Sequence, residues 1–192
     1  MKMGIIGTAG RKDDKDRMTK ELFVKMMAHA INIIQSANID TLVSGGAAWA
    51  DHIAVKLYIA GLVPNLVLYL PAEFKDYAYL GTDRYSPGRI SNYYHRLMTE
   101  KLGKDSLIEI QQAIDMGAQV HVVPGFKNRN SPVAEQSDGL LAFTFGTHSG
   151  AYDSEHEGWY NSRDGGLKDG GTADTWTKSK ARIKEHKNLW DF

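Results

Sequence analysis

The sequence predicts an α/β fold in which a mainly parallel sheet of about five strands is covered by helices on both faces. Two observations predict it. Short apolar runs alternate with longer segments whose apolar residues recur at helical spacing, and such alternation implies right-handed crossovers between parallel strands. Three glycine corners punctuate the chain: Gly4-Ile5-Ile6-Gly7-Thr8-Ala9-Gly10-Arg11, Val43-Ser44-Gly45-Gly46-Ala47 and Asp169-Gly170-Gly171-Thr172-Ala173-Asp174-Thr175. The first two follow apolar runs, and all three precede helical stretches.

Residues 2–7 read as a short buried strand that ends in the Gly7-Thr8-Ala9-Gly10 turn. The charged segment 11–17 reads as a loop. From Met18 to Gln35 the residues Leu22, Met26, Ala30 and Ile34 form a helical stripe, widened by Phe23, Met27 and Ile33. Thr41-Leu42-Val43 is a second strand, and Trp49 to Gly61 a helix that stops at glycine. Leu66–Leu70 is a third strand closed by Pro71, after which Ala72–Arg89 reads as a long irregular loop. Helices are expected over Ile90–Leu102 and Ser106–Met116, and Gln119–Val123 as a fourth strand with His121 packed inside it. Ser131-Pro132 has the chemistry of a helix start, Ser as N-cap and Pro at the first helical position. Leu140–Phe145 is the fifth strand, Thr147–Asp169 a second irregular segment, and a last helix is expected from Thr172, with Ala173, Trp176 and Ile183 on its buried side. With no repeat and no linker, residues 1–192 read as one domain.

Composition narrows the function. There are 23 basic and 23 acidic side chains, so the formal net charge is zero, and an extended duplex-binding surface is disfavoured. The absence of cysteine excludes disulfides, thiolate catalysis and Cys-ligated metals, and suits a cytoplasmic location. No apolar run approaches the roughly 20 residues that span a bilayer, and the N-terminus does not read as a secretion signal. No membrane role is expected.

Glycine at a strand-to-helix corner lets backbone N–H groups turn toward a ligand, where the helix dipole favours negative charge. One such corner is an ordinary turn; three on one sheet edge make a pocket for a phosphate-bearing ligand. Gly7, Thr8, Gly10, Ser44, Gly45, Gly46, Gly170, Gly171 and Thr172 are its candidate lining. Arg11 is either a bidentate phosphate clamp or a solvated member of the Arg11–Arg17 charge run. Arg129 is expected at the carboxyl end of the fourth strand, where open α/β sheets bind ligands. Asn130 beside it reads a base or sugar hydroxyl, or holds the turn. Asp51 contacts ribose or simply complements a helix dipole, and Thr172 is the expected N-cap of the last helix.

The motifs resemble the SLOG superfamily of Rossmann-like proteins, which includes the Lonely Guy nucleotide phosphoribohydrolases and DNA-processing protein A. The matches are Gly-Thr-Ala-Gly-Arg, Ser44-Gly45-Gly46-Ala47-Ala48-Trp49-Ala50-Asp51, Arg129-Asn130 with Ser137-Asp138, and Gly170-Gly171-Thr172. The resemblance is closest to a phage and bacterial branch and implies a Rossmann-like three-layer sandwich that binds a small-molecule nucleotide without a cofactor, as a homodimer. It also implies hydrolysis of the N-glycosidic bond of a nucleoside monophosphate or related nucleotide. Sensing or sequestering of a nucleotide-derived signal is the alternative, and single-stranded DNA binding the third reading. The Lonely Guy pattern Pro-Gly-Gly-x-Gly-Thr precedes paired glutamates, whereas Ala173-Asp174-Thr175 follows here.

N-glycosidic hydrolysis needs a carboxylate to activate water or to stabilise an oxocarbenium-like centre. Glu135, beyond Arg129-Asn130, is the leading catalytic candidate and Asp138 the second, with Glu73 and Asp76 as further acids. Asp153-Ser154-Glu155-His156-Glu157 gathers potential ligands, but its spacing matches no metal motif, so no metal is expected. Trp159 and Tyr160 are candidate base-stacking rings, ahead of Tyr77, Tyr79, Tyr85, Tyr93, Tyr94 and Tyr152.

Overall fold

The computed structural model describes residues 1–154 and 165–192. The candidates Glu155, His156, Glu157, Trp159 and Tyr160 lie outside the described residues. Strand β1 (Lys2–Gly7) leads through a single helical turn, α1 (Asp14–Arg17), to α2 (Lys20–Ser36), then β2 (Thr41–Ser44), α3 (His52–Ile59) and β3 (Asn65–Leu70). A hairpin follows, β4 (Phe74–Lys75) and β5 (Ala78–Tyr79), then α4 (Pro87–Leu102), α5 (Ser106–Asp115) and β6 (Gln119–Val122). The chain continues through α6 (Phe126–Glu135), β7 (Gly139–Thr144), β8 (Gly150–Asp153), α7 (Gly171–Lys178), β9 (Ile183–Asn188) and a closing 3-10 turn at Leu189–Asp191.

Among the described residues the central sheet has seven strands in the order β6-β3-β2-β1-β7-β9-β8, of which only β8 runs antiparallel to its neighbour. The α/β reading holds, with two strands beyond the expected five. Central strands buried on both faces must be apolar at every position, and Met3, Ile5 and Ile6 of β1 and Leu140 to Phe143 of β7 are all buried. Ile5, Leu42, Leu66, Leu68, Leu141 and Phe143 face α2, α3, α4 and α5 through Phe23, Met26, Ile53, Met98 and Ile110. Ile6, Val43, Val67, Leu140 and Ala142 face Val133 of α6 and Trp176 of α7. The result is a three-layer sandwich.

Local chemistry sets the ends of α2 and α4. Thr19 caps α2, its hydroxyl accepting from the Leu22 N–H at 3.1 Å, and Phe23, Met26, Ala30 and Ile34 form the buried stripe. Within Ala72–Arg89, Asp76 and Tyr77 both take positive φ, which closes the β4–β5 hairpin with a two-residue turn of the primed kind. Pro87 then opens α4 at its first position, and Gly103 ends it.

Four sequence expectations are corrected. Ser131-Pro132 does not start a helix: α6 begins at Phe126 after Gly125, and Pro132 sits in its last turn, where a missing N–H removes only one bond. Thr172 is not an N-cap, because Gly170 occupies that position and α7 has no side-chain cap. Ile183 is not helical: α7 stops at Lys178, and the polar run Ile183–Asn188 is a strand held between β7 and β8. His121 is not packed inside the sheet, since β6 is an edge strand with every residue exposed, and the imidazole stacks on Tyr69 at 5.0 Å. Among the described residues, no helix is long and apolar enough to cross a membrane.

Candidate functional site

The chain builds β1, then β2, β3 and β6 outward on one side, and returns to place β7 on the other side of β1. Strand order reverses there, so crossovers leave in opposite directions and a crevice opens beyond the carboxyl ends of the strands. A cleft of about 630 Å³ occupies this point. Its volume lies in the middle of the range for small-molecule sites.

The first corner forms its inner wall. Gly7 ends β1 against β7 so closely that a Cβ would meet the Phe143 carbonyl, and the Thr8 N–H donates to that oxygen at 2.8 Å. The Thr8 hydroxyl donates to Asp14 Oδ2 at 2.7 Å and accepts from the Gly10 N–H at 3.1 Å. Gly10 packs on Trp49 and does not line the cleft.

The second corner is fixed from behind. Ser44 Oγ donates to the Asp51 carbonyl at 2.9 Å and accepts from the Gly46 N–H at 3.1 Å. The Gly46 carbonyl accepts from Tyr79 Oη at 2.6 Å and from His95 Nε2 at 3.0 Å. Both lone pairs of that oxygen are thereby occupied, and the corner has one conformation. Ser44 and Gly46 therefore shape the turn without lining the cleft, whereas Gly45 faces it. Gly45 is glycine for a steric reason, because a Cβ there would fall on Nη1 of Arg129. That guanidinium donates to Asp51 Oδ2 at 2.9 Å, while its buried Nε has no hydrogen-bond partner among the described residues.

The third corner delivers a helix start. The first backbone bond of α7 runs from the Asp174 N–H to the Gly170 carbonyl at 3.0 Å. Helix geometry leaves the N–H groups of Gly171, Thr172 and Ala173 without an intrahelical acceptor, and Gly171 and Thr172 line the cleft. Asn130 on α6 ties the two helices together, donating to the Gly171 carbonyl at 3.3 Å and to Asp174 Oδ2 at 3.1 Å. Hydrogen bonds from Lys178 and then Asn130 hold the Asp174 carboxyl below its usual range, against the opposing effect of burial.

Among the described residues, five cationic side chains line the cleft: Arg11, Lys12, Lys127, Arg129 and Lys168. Arg11 does not dangle with its charge run. Its guanidinium lies 4.4 Å from the centre of the Phe126 ring and 5.3 Å from that of Tyr94, and burial lowers its pKa. Lys168 Nζ reaches across to Asp14 Oδ1 at 2.6 Å, and its backbone N–H donates to Thr144 Oγ1 at 3.3 Å. Asp14, Phe126, Lys127, Thr144, Lys168 and Asp169 escaped the sequence reading. Lys168 and Asp169 could have been found by adjacency to Gly170-Gly171. The Asp14–Lys168 pair spans 154 positions, a separation that carries no local signal.

Of the substrate-binding candidates, Gly7, Thr8, Arg11, Gly45, Asp51, Arg129, Asn130, Gly170, Gly171 and Thr172 meet in this cleft. Arg129 comes from the first turn of α6, not from a strand end. The catalytic candidates do not join them. Glu135 is the exposed last residue of α6, roughly 9 Å along the helix axis from Arg129. Asp138 lies before β7 at the amino edge of the sheet, about 20 Å from the cleft end of that strand. Its Oδ2 accepts from the Lys2 N–H at 2.8 Å, a structural bond. Glu73 and Asp76 sit at the β4–β5 hairpin, outside the lining. Among the described residues, no group of three or more His, Asp or Glu is placed to hold a metal ion.

No family model matches the chain. It is 35% identical, over a 196-residue alignment, to the uncharacterized protein R261 of Acanthamoeba polyphaga mimivirus, an alignment that covers 98% of this chain and 96% of the viral one. A likeness that runs end to end at this identity makes the chain a member of the same family as that mimivirus protein.

Proposed function

We propose that the cleft binds a nucleoside monophosphate or a related nucleotide, as the SLOG resemblance suggests. The observation that carries this reading is the meeting of all three glycine corners with five cations at one sheet edge. The phosphate sits at the start of α7, where the N–H groups of Gly171, Thr172 and Ala173 and the helix dipole favour it. Arg11 and Arg129 flank it; the unpartnered Nε of Arg129 supports a ligand oxygen as its missing acceptor. No cofactor enters the reading, and we extend it to a cytoplasmic homodimer that acts on a small molecule rather than on nucleic acid.

The reaction assigned is hydrolysis of the N-glycosidic bond, in which water adds to the anomeric carbon as the base departs. With Glu135 and Asp138 outside the cleft, the acid–base role passes to Asp169, which lines it and has no ion-pair or hydrogen-bond partner among the described residues. A second reading, a module that holds its nucleotide intact, draws on a different observation. The other three cleft carboxylates are already tied to cations, Asp14 to Lys168, Asp51 to Arg129 and Asp174 to Lys178.

Purified protein incubated with a panel of nucleoside monophosphates separates these readings. Calorimetry reports binding, and chromatography reports free base. The hydrolase reading expects base release that Asp169→Asn abolishes while binding persists. Binding without release selects the holding module, and no binding to any nucleotide overturns both.

A further inference from the structure

Five planar groups run in file from the outer surface into the cleft. Tyr93, about half exposed on α4, meets Tyr94 edge to face at 5.2 Å between ring centres. Tyr94 lies 5.3 Å from the Arg11 guanidinium, which sits 4.4 Å from the Phe126 ring, itself 6.0 Å from the Arg129 guanidinium. Three separate elements supply the file: α4, the loop after β1, and α6. Its inner end is the phosphate side of the cleft described above.

We propose that this file is a second ring-binding subsite, so that the ligand is a dinucleotide whose second nucleoside lies along Tyr93, Tyr94 and Arg11. The inference rests on the nucleotide reading of the cleft and narrows its ligand class. Three features of the file support it. The Arg11 guanidinium makes no hydrogen bond and no ion pair among the described residues, so its N–H fork is free for a phosphate or base acceptor while the flanking rings hold its plane. Purely structural arginines more often place that fork on a carboxylate or carbonyl, as Arg129 does on Asp51. Aromatic and guanidinium faces accept any base by stacking, and the file joins the half-exposed Tyr93, through Tyr94 at the edge of the core, to Arg11 and Phe126 in the cleft wall. Charge also fits. Among the described residues, pairing removes Lys168 with Asp14, Arg129 with Asp51 and Asp174 with Lys178, which leaves Arg11, Lys12 and Lys127 against Asp169. That surplus of positive charge suits a pyrophosphate diester as well as a single phosphomonoester, so it does not oppose the longer ligand.

The test compares AMP, GMP, CMP and UMP with the matching symmetrical dinucleoside pyrophosphates by calorimetry on the wild-type chain. At least one pyrophosphate is expected to bind about tenfold tighter than its monophosphate, the gain from stacking one further base. In Tyr94→Leu the ratio of the two affinities falls toward one, and Tyr93→Ser, at an exposed position, lowers it in the same direction if Tyr94→Leu does not fold. Monophosphate binding with no dinucleotide advantage, or an advantage that both variants retain, overturns the second subsite and leaves the nucleotide reading intact. Failure of every nucleotide to bind overturns the two together.

Discussion

Gly7 and Gly45 lack a side chain for opposite reasons, and the difference is testable. A methyl at Gly7 meets the Ala50 Cβ and the Phe143 backbone carbonyl, which cannot step aside without parting β1 from β7. A methyl at Gly45 meets the far end of the Arg129 side chain, which can swing away. Gly7→Ala should therefore fail to give folded protein. Gly45→Ala should fold, with Arg129 dislodged from Asp51 and nucleotide affinity lowered about tenfold or more, the value of one charge-assisted hydrogen bond. Circular dichroism and calorimetry of the two variants check this. A Gly45→Ala chain that binds as well as wild type would remove Arg129 from the phosphate site.

Beneath the second corner, α3, α4 and α5 enclose two histidines in contact, His52 and His95, with ring centres 5.6 Å apart. Burial lowers both pKa values, His95 to about 3, and the neighbouring His52 further opposes charge on His95. His52 Nε2 pairs with Glu109 at 2.7 Å, and Lys56 reaches the same carboxylate at 2.6 Å. Burial alone would raise Glu109, but these two hydrogen bonds outweigh it and hold its pKa down to about 2. From pH 6.5 down to about 3 the unfolded chain takes up a proton at residue 95 that the folded chain refuses, so stability falls on acidification. One such proton is worth about 1.4 kcal/mol per pH unit. Urea denaturation at pH 6 and pH 5, above the range in which Glu109 titrates, should show that loss, and His95→Gln should reduce the slope by about one proton. An unchanged slope would mean that His95 is not the group refused. The elements that frame this network were legible where periodicity was strong, as in the α2 stripe or the Ile90–Leu102 body of α4, although its first turn from Pro87 was read as loop. β9 was not, because Ile183-Lys184-Glu185-His186-Lys187-Asn188 carries no alternation; its place follows from pairing with β7, a tertiary fact. The glycine corners marked the cleft because backbone geometry is local. Glu135 and Asp138 misled because proximity to Arg129 in sequence says nothing about which end of α6 or β7 faces the ligand.

On the scale of the whole molecule, the cleft is closed by contacts between the first and last parts of the chain. Asp14, only 5% exposed, accepts from Thr8 near the start and from Lys168 near the end, and lies 3.5 Å from Arg17. The partners are not equivalent. Lys168 is 41% exposed and can return to water when its acceptor is lost, whereas the buried Thr8 hydroxyl cannot. Asp14→Ala should cost about 2–3 kcal/mol, from an orphaned hydroxyl and lost charge-assisted bonds. Lys168→Ala should cost no more than about 1 kcal/mol, the value of a partly exposed ion pair. The two changes share a contact, so the double variant should be no less stable than Asp14→Ala alone by more than a few tenths of a kcal/mol. Urea denaturation of the three variants measures all of this. Equal losses for the two single variants, or full additivity in the double, would show that Asp14 does not hold residues 8 and 168 together, and the wall they form would then need another anchor.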